Sequence, residues 1–294
     1  MMTINGTDFE YIRELVRRSA AIVLDSDKQY LVESRLGPVA AREGLQSLGQ
    51  LVAQLRLNPG GPLVTKVIDA MTTNETSFFR DVHPFETLRK AVIPDLVARR
   101  LQSRRLALWS AACSTGQEPY TIAIILNEHF PALLRDWKIT LLATDLCGEV
   151  LERARAGRFS QLEINRGLPA PYMVKYFTRT GHEWQAKDEL RQRITFQPIN
   201  LARPFVDIPP MDIVFIRNVL IYFNQETKRD ILRRVRRVLA PDGALFVGSS
   251  ESPVHFDDGF DPVTFEKSVY FRMREPAPLF SIPPVTSPRS GGGL

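Results

Sequence analysis

The chain has 294 residues, 44% hydrophobic and 24% charged, with 38 Lys and Arg against 33 Asp and Glu for a formal net charge of +5. This composition suits a globular chain able to bury one large or two modest cores, and it excludes a disordered or fibrous protein. Two cysteines, Cys113 and Cys147, exclude a disulfide scaffold, and no apolar run reaches the length of a membrane span. Asp8 and Glu10 interrupt the N-terminus, so no secretory signal and no membrane insertion are expected, and the expected location is the cytoplasm. The mild basicity favours anionic partners without choosing among nucleic acid, acidic protein and membrane surface.

The first elements are helical. Phe9, Ile12, Leu15 and Val16 recur at helical spacing, as do Tyr30, Leu31, Leu36 and Val39, and then Leu63, Val67, Ile68 and Met71. Gly44 and the run Asn58 to Pro62 are breakers, and residues 1–70 are predicted to form a small all-helical domain. Residues 71–83 read as a linker that holds an unusual cluster, Asn74-Glu75-Thr76-Ser77-Phe78-Phe79-Arg80. Beyond residue 100 the texture changes. Leu106 to Ala111, Ile139 to Thr144, Asp212 to Arg217 and Ala244 to Gly248 are short, nearly continuous apolar runs, the signature of strands buried on both faces of a parallel sheet. Amphipathic stretches at 118–129, 148–157 and 226–240 alternate with them, so residues 84–275 are predicted to form a doubly wound α/β domain. In the last stretch Arg229, Arg233, Arg236 and Arg237 lie opposite Ile231, Leu232, Val235, Val238 and Leu239, which is an ordinary solvated face. Residues 260–273 alternate as an antiparallel hairpin at the sheet edge, and residues 276–294, rich in Pro, Ser and Gly, are expected to be a disordered tail.

Ligands of open α/β sheets bind at the carboxyl ends of the strands, and the polar residues there define the candidate site. The first turn, Ser110-Ala-Ala-Cys-Ser-Thr-Gly-Gln-Glu118, has one glycine and no lysine, so it is neither a dinucleotide fingerprint nor a phosphate loop. Its Glu118 would repel a pyrophosphate but would receive the ammonium and sulfonium charges of S-adenosylmethionine; it would equally complement a helix dipole. Asp145, at the tip of the second strand, is placed either to accept both hydroxyls of a ribose or to cap the next helix. Asn200 and Leu201 offer an amide and an apolar wall to an adenine ring, or a simple turn. Arg217, Asn218 and Tyr222 follow the fourth strand, where buried polar groups need partners in a ligand or in the loop backbone. His83, His129, His182 and His255 are scattered without ligand spacing, and no metal is expected.

Four ordered motifs, Asn74 to Arg80, Ser110 to Glu118, Ala143-Thr-Asp145 and Arg217-Asn-Val-Leu-Ile-Tyr222, resemble those of CheR-type chemotaxis receptor methyltransferases, over roughly residues 8–273. The resemblance implies an all-helical N-terminal domain, a linker contributing to the active site, and a class I (Rossmann-like) S-adenosylmethionine-dependent methyltransferase domain with a small antiparallel β-subdomain at about 172–196. It implies transfer of a methyl group to specific glutamates on the cytoplasmic helices of chemoreceptors, giving glutamyl methyl esters and S-adenosylhomocysteine. Carried over by motif, Asn74, Thr76, Arg80, Glu118, Asp145, Asn200, Leu201, Arg217 and Asn218 would line the cofactor site. Arg80 and Tyr222 would lie closest to the reacting atoms. Phe78 and Phe79 are expected to be packing anchors. Some members of the family grip a receptor's C-terminal peptide with a long hairpin; the region around Thr180-Gly-His-Glu-Trp184 is short here, so direct engagement of the methylation helices is expected instead.

A glutamate carboxylate is ionised at neutral pH, so this reaction needs no general base, and positioning with exclusion of water is the expected contribution of the protein. Lys28, Arg35 and Arg42 recur every seven residues and would share one face if a helix persists across Gly37-Pro38, a basic stripe suited to acidic receptor helices. A monomer that binds no nucleic acid is expected. Two other readings stand beside this one: a class I methyltransferase acting on nucleic acid or a small molecule, and a non-catalytic S-adenosylmethionine-binding scaffold or sensor.

Overall fold

Two differently built halves meet at the linker, and the computed structural model describes residues 2–274; the tail expected at 276–294 lies outside the described residues. The first half is four helices, α1 (Gly6–Ala20), α2 (Gln29–Arg42), α3 (Leu48–Leu57) and α4 (Pro62–Met71). They close around Ile12, Val16, Val32, Leu36, Leu51 and Val67, the apolar positions that recur at helical spacing. The Asn5 side chain caps α1 by accepting the Asp8 N–H, and Ser47 caps α3 in the same way. Helix α2 runs through Pro38 without a break. Ala21, a non-glycine residue with φ of 56°, turns the chain off the end of α1.

After the linker come α5 (His83–Thr87), a wider π turn at Leu88–Val92, and α6 (Ile93–Arg99). The remaining helices are α7 (Gln117–His129), α8 (Pro131–Asp136), α9 (Gly148–Ala156), α10 (Gln161–Asn165), α11 (Ala170–Tyr176), α12 (Asp188–Arg191) and α13 (Gln225–Val238). The strands are β1 (Arg105–Ala111), β2 (Lys138–Asp145), β3 (Arg158–Ser160), β4 (Phe177–Thr180), β5 (Glu183–Ala186), β6 (Ile194–Pro198), β7 (Met211–Ile216), β8 (Leu239–Val247), β9 (Phe260–Phe265) and β10 (Ser268–Met273). Seven form one sheet in the order β6-β2-β1-β7-β8-β10-β9, parallel except at β10, which is antiparallel to both neighbours. The order reverses beside β1, so the carboxyl ends of β1 and β7 flank the crevice where such sheets bind ligands. At the opposite end Arg100 bridges Asp212 and Asp242 (2.6 and 2.7 Å) and ties β7 to β8.

Three features differ from the sequence reading. The second sheet, β3-β5-β4, begins at Arg158 and its last helix ends at Arg191, while Ile194–Pro198 belongs to the main sheet, so the β-subdomain spans 158–191 and not 172–196. A three-residue strand such as β3 is too short to show alternation, and its partner β5 lies 23 residues downstream of it in the register Ser160 to Glu183. Helix α7 is not amphipathic in place. Residues from Gln117 to Leu126 are buried with the exception of Glu118, because β2 and β6 cover one side and α5 and α12 the other. Helix α13 stops at Val238, since Leu239 already pairs with Met211 as the first residue of β8.

Candidate active site

A single pocket at the carboxyl ends of the strands is lined by Asn74, Thr76, Arg80, Glu118, Asp145, Asn200, Leu201, Arg217, Asn218 and Tyr222. All ten residues singled out from the sequence therefore meet at one place, although they come from five separate segments. The helical half completes the wall with Ala20 and Ile22. Ile22 forms a β-bridge with Phe223, and the Val23 N–H donates to Tyr222 O at 3.0 Å, so the start of the chain is fastened to the loop after β7.

The linker is held over the pocket by contacts at both ends. Arg35 donates to Met71 O (2.7 Å), Thr72 O (3.2 Å) and Thr73 Oγ1 (2.9 Å), and the Ser114 hydroxyl donates to Asn74 O at 2.8 Å. Glu75 pairs with Arg166, and the Phe79 N–H donates to Thr121 Oγ1 at 3.1 Å. Phe78 is buried edge-on between Phe159 and Phe177 of the second sheet (5.0 and 5.6 Å), and Phe79 stacks on Tyr172 at 5.8 Å, so both aromatics are packing anchors. Gly167, with φ of 95°, lets Phe78 O approach so closely that a Cβ would collide with it. Phe79, Asp81 and Val82 all have positive φ, a tight turn unfavourable for these side chains that the surrounding contacts must hold.

Arg217 is what holds that turn to the sheet. Its side chain is 2% exposed; Nη1 donates to Glu118 Oε2 at 3.0 Å, and Nη2 donates to Arg80 O at 3.0 Å and Asp81 Oδ2 at 2.7 Å. Its guanidinium also lies over the Phe85 ring at 5.4 Å. The Nε is buried with no partner among the described residues. Glu118 accepts a second bond from the Ser110 hydroxyl at 2.8 Å, which fixes the carboxylate at the start of α7. Arg80 donates to Glu75 O at 3.0 Å and otherwise faces the pocket.

Asp145 is buried and accepts the Ser114 N–H (2.8 Å) and the Cys147 N–H (3.0 Å), which locks the tips of β1 and β2 together. Burial pushes its carboxyl above the ordinary aspartate range, and the backbone N–H groups of Cys147, Ser114 and Leu146 pull the other way without reversing the shift. Each oxygen accepts one backbone bond, and a carboxylate oxygen has two acceptor positions. Cys147, not Asp145, is the N-cap residue of α9. Asn200 Nδ2 donates to Ser19 O at 2.7 Å, and its Oδ1 accepts the Ala202 N–H at 2.9 Å. The asparagine is thus both a turn residue and a tie between α1 and the sheet, and Leu201 is the buried apolar wall beside it.

Asp81 and Glu251 belong to the machinery around this pocket but carry no sequence signal of it, because each acts on a residue distant in the chain. Ser110 stands at the head of a motif singled out from the sequence, although nothing there points to its bond with Glu118. Cys113 also lines the pocket, and burial raises its thiol well above the ordinary value, so it is no nucleophile at neutral pH. No histidine lines the pocket. No cluster of histidine, cysteine and carboxylate able to hold a metal occurs among the described residues, and none of their helices is long and apolar enough to cross a membrane. The arginines of α13 are partly paired: Arg233 with Asp230 and Arg236 with Asp257, while Arg234 donates to Leu201 O.

The charges in the pocket decide what it accepts. Three carboxylates, Glu75, Glu118 and Asp145, face two guanidiniums, Arg80 and Arg217, so the lining carries a surplus of one negative charge. That surplus disfavours a pyrophosphate and matches S-adenosylmethionine, whose ammonium and sulfonium outnumber its carboxylate by one. Together with the strand order and the antiparallel seventh strand, it defines an S-adenosylmethionine-dependent methyltransferase of class I. Residues 74–269 match the family profile described as CheR methyltransferase, SAM binding domain, and residues 7–72 match CheR methyltransferase, all-alpha domain. The chain belongs to the CheR methyltransferase family. It is 41% identical over 276 residues to chemotaxis protein methyltransferase 1 of Pseudomonas aeruginosa, covering 93% of this chain and 100% of that protein. It is 40% identical to a chemotaxis protein methyltransferase of Pseudomonas putida over the same shares, and 37% identical to that of Escherichia coli over 88% of this chain and 89% of that one.

Proposed function

We propose that this chain methylates glutamate side chains on the cytoplasmic helices of chemoreceptors, with S-adenosylmethionine as donor, and so serves sensory adaptation in the cytoplasm. The observation that carries the reading is the convergence of all four family motifs on one pocket whose charge complements the donor. Asp145 would take the ribose hydroxyls on its remaining acceptor positions. Leu201, with the neighbouring Ile199, would wall the adenine, while Asn200 stays engaged with Ser19 and Ala202. Glu118 would face the ammonium, and Asn74, Thr76 and Asn218 would contribute polar contacts. Arg217 would shape the pocket by holding Arg80, Asp81 and Glu118 in place.

S-adenosylmethionine, when bound, supplies a methyl group activated by the adjoining sulfonium. The remaining chemistry falls to positioning. A substrate glutamate, with an ordinary pKa of about 4.3, arrives ionised, so no side chain must remove a proton. The lining agrees with this, since it holds no histidine and its cysteine thiol is kept protonated by burial. Arg80 and Tyr222, which line the same pocket, would orient the incoming carboxylate and exclude water. Orientation of this kind supplies up to roughly 7–11 kcal/mol in favourable systems.

For the partner, Arg35 and Arg42 share a face of α2, which runs through Pro38, and Lys28 precedes the helix as its N-cap residue. Arg35 is engaged with the linker, so Lys28 and Arg42 are the members of that stripe left to guide acidic receptor helices. The hairpin between β4 and β5 turns through Gly181 and His182 alone, which supports direct engagement of the methylation helices over tethering to a C-terminal peptide. A monomer suffices for this reading. The test is mass spectrometry of a receptor cytoplasmic fragment after incubation with the protein and donor. A methyl's added mass on glutamate-bearing peptides is expected; a methyl found only on nucleic acid or a small molecule, or cofactor binding with no transfer at all, contradicts it.

A further inference from the structure

The loop that carries Asn218 and Tyr222 into the pocket has little of its own to hold it. Asn218 has φ of 58°, the left-handed conformation that asparagine adopts at a cost. Only one short turn, Leu220–Tyr222, follows before Phe223. Val23 ties the far end of its backbone at Tyr222 O, and the rest is gathered by a residue about thirty positions downstream. Glu251, 9% exposed, accepts the Asn218 N–H on Oε2 at 2.7 Å and the Ile221 N–H on Oε1 at 3.3 Å. The same Oε2 accepts the Gly248 N–H, also at 2.7 Å.

Gly248 makes this convergence possible. A Cβ there would lie 2.6 Å from Glu251 Oε2, 2.8 Å from Asn218 Nδ2 and 2.9 Å from Asn218 N. A carboxylate is an acceptor-only group, which is what three converging N–H donors require. Either orientation of a glutamine amide at 251 would turn an NH2 group toward at least one of them.

We propose that Glu251 is a positioning residue for methyl transfer: its carboxylate fixes the Asn218–Tyr222 segment against the end of β8 so that Asn218 and Tyr222 face the reacting atoms. The inference rests on the pocket being the methyl-transfer site. Glu251 itself does not line that pocket, and the groups assigned to the donor's ribose, adenine and ammonium lie on other segments, with Asn218 the one proposed donor contact on the segment that Glu251 holds. Its loss is therefore felt in the chemical step and much less in donor binding.

The test compares Glu251→Gln with the native protein in kcat per cofactor-binding site, with sites counted by calorimetric titration with S-adenosylhomocysteine. The expected result is a fall of about 10²-fold in kcat, the effect of a displacement of about 1 Å in a positioning group, with product affinity held within about threefold. A purely structural role would lower the number of competent sites and leave kcat per site unchanged; that result overturns the proposal. Should Glu251→Gln yield no folded protein, Gly248→Ala decides, since its Cβ displaces the same segment from the other side. It is expected to give the same loss in kcat with affinity retained, and native kcat per site overturns the proposal. Absence of transfer by the native protein would count against the methyltransferase reading itself, whereas native transfer with an unaffected variant counts against Glu251 alone.

Discussion

Replacing Arg217 by methionine tests whether the linker is clamped to the sheet as described. Methionine keeps an unbranched apolar stem but donates no hydrogen bond, so Glu118, Asp81 and the Arg80 carbonyl lose their shared partner together. Glu118 decides the magnitude: its side chain is 12% exposed, and a carboxylate stranded in such a place costs about 3–5 kcal/mol. The Ser110 hydroxyl remains on Oε1, which favours the lower end of that range. Asp81, 41% exposed, is screened by solvent and adds less than about 1 kcal/mol. A loss of about 3 kcal/mol corresponds to a Tm lowered by about 6–12 °C in a domain of this size. Differential scanning calorimetry at neutral pH measures it. The double variant Arg217→Met with Glu118→Gln removes the stranded charge and is expected to recover much of the loss, a strong non-additivity between contacting residues. A single variant whose Tm stays within about 2 °C of native, the response of an ordinary surface substitution, would refute the clamp. So would a double variant in which the two losses simply add.

Other consequences follow from the same geometry. Glu118→Gln removes the negative charge proposed to face the ammonium and is expected to weaken donor binding by roughly 10–100-fold, the worth of a charge-assisted hydrogen bond, measured by calorimetric titration. Asp145 titrates above the ordinary aspartate value because it is buried. The acceptor capacity of its ionised form is present above that raised pKa and lost as pH falls through it. Donor affinity should therefore fall on acidification at a higher pH than an exposed aspartate, with pKa about 3.9, would give. Asp145→Asn should flatten that limb. Gly167→Ala places a Cβ against Phe78 O at a left-handed φ and should displace the linker, lowering both Tm and kcat in paired melting and rate measurements. Charge reversal at Lys28 and Arg42 should slow methylation of membrane-embedded receptors while leaving donor affinity native. Arg35→Glu should in addition lower Tm, because Arg35 holds the linker carbonyls.

The pocket was legible in the sequence because its residues stand at strand tips and in a linker, where polar side chains interrupt apolar runs. Asp145 and Arg217 stand at the ends of such runs, and Glu118 follows one across a turn. Asn74 to Arg80 was legible for the opposite reason, a polar and aromatic cluster with no periodicity of its own. Partners were the part not legible. Nothing local to Arg217 points to Asp81, and nothing near Glu251 points to Asn218, since these contacts are set by the order of strands. Arg35 belongs by spacing to an exposed stripe, yet tertiary contact turns it to the linker. The second sheet was misplaced because three residues, Arg158 to Ser160, are too few to reveal a period, and the helix at Gln117 reads as one-sided although chain from distant segments covers its other face.

If this pocket moves a methyl group from S-adenosylmethionine to a glutamate carboxylate, its product is a base-labile ester. Incubation of the protein with methyl-labelled donor and chemoreceptor cytoplasmic fragments, followed by mild base, tests it most directly. Labelled methanol released from the receptor, abolished by Arg80→Ala, is the result expected of a glutamyl methyl ester made at this site. Label that stays on the receptor through base, or none transferred to it, would contradict transfer to a glutamate carboxylate.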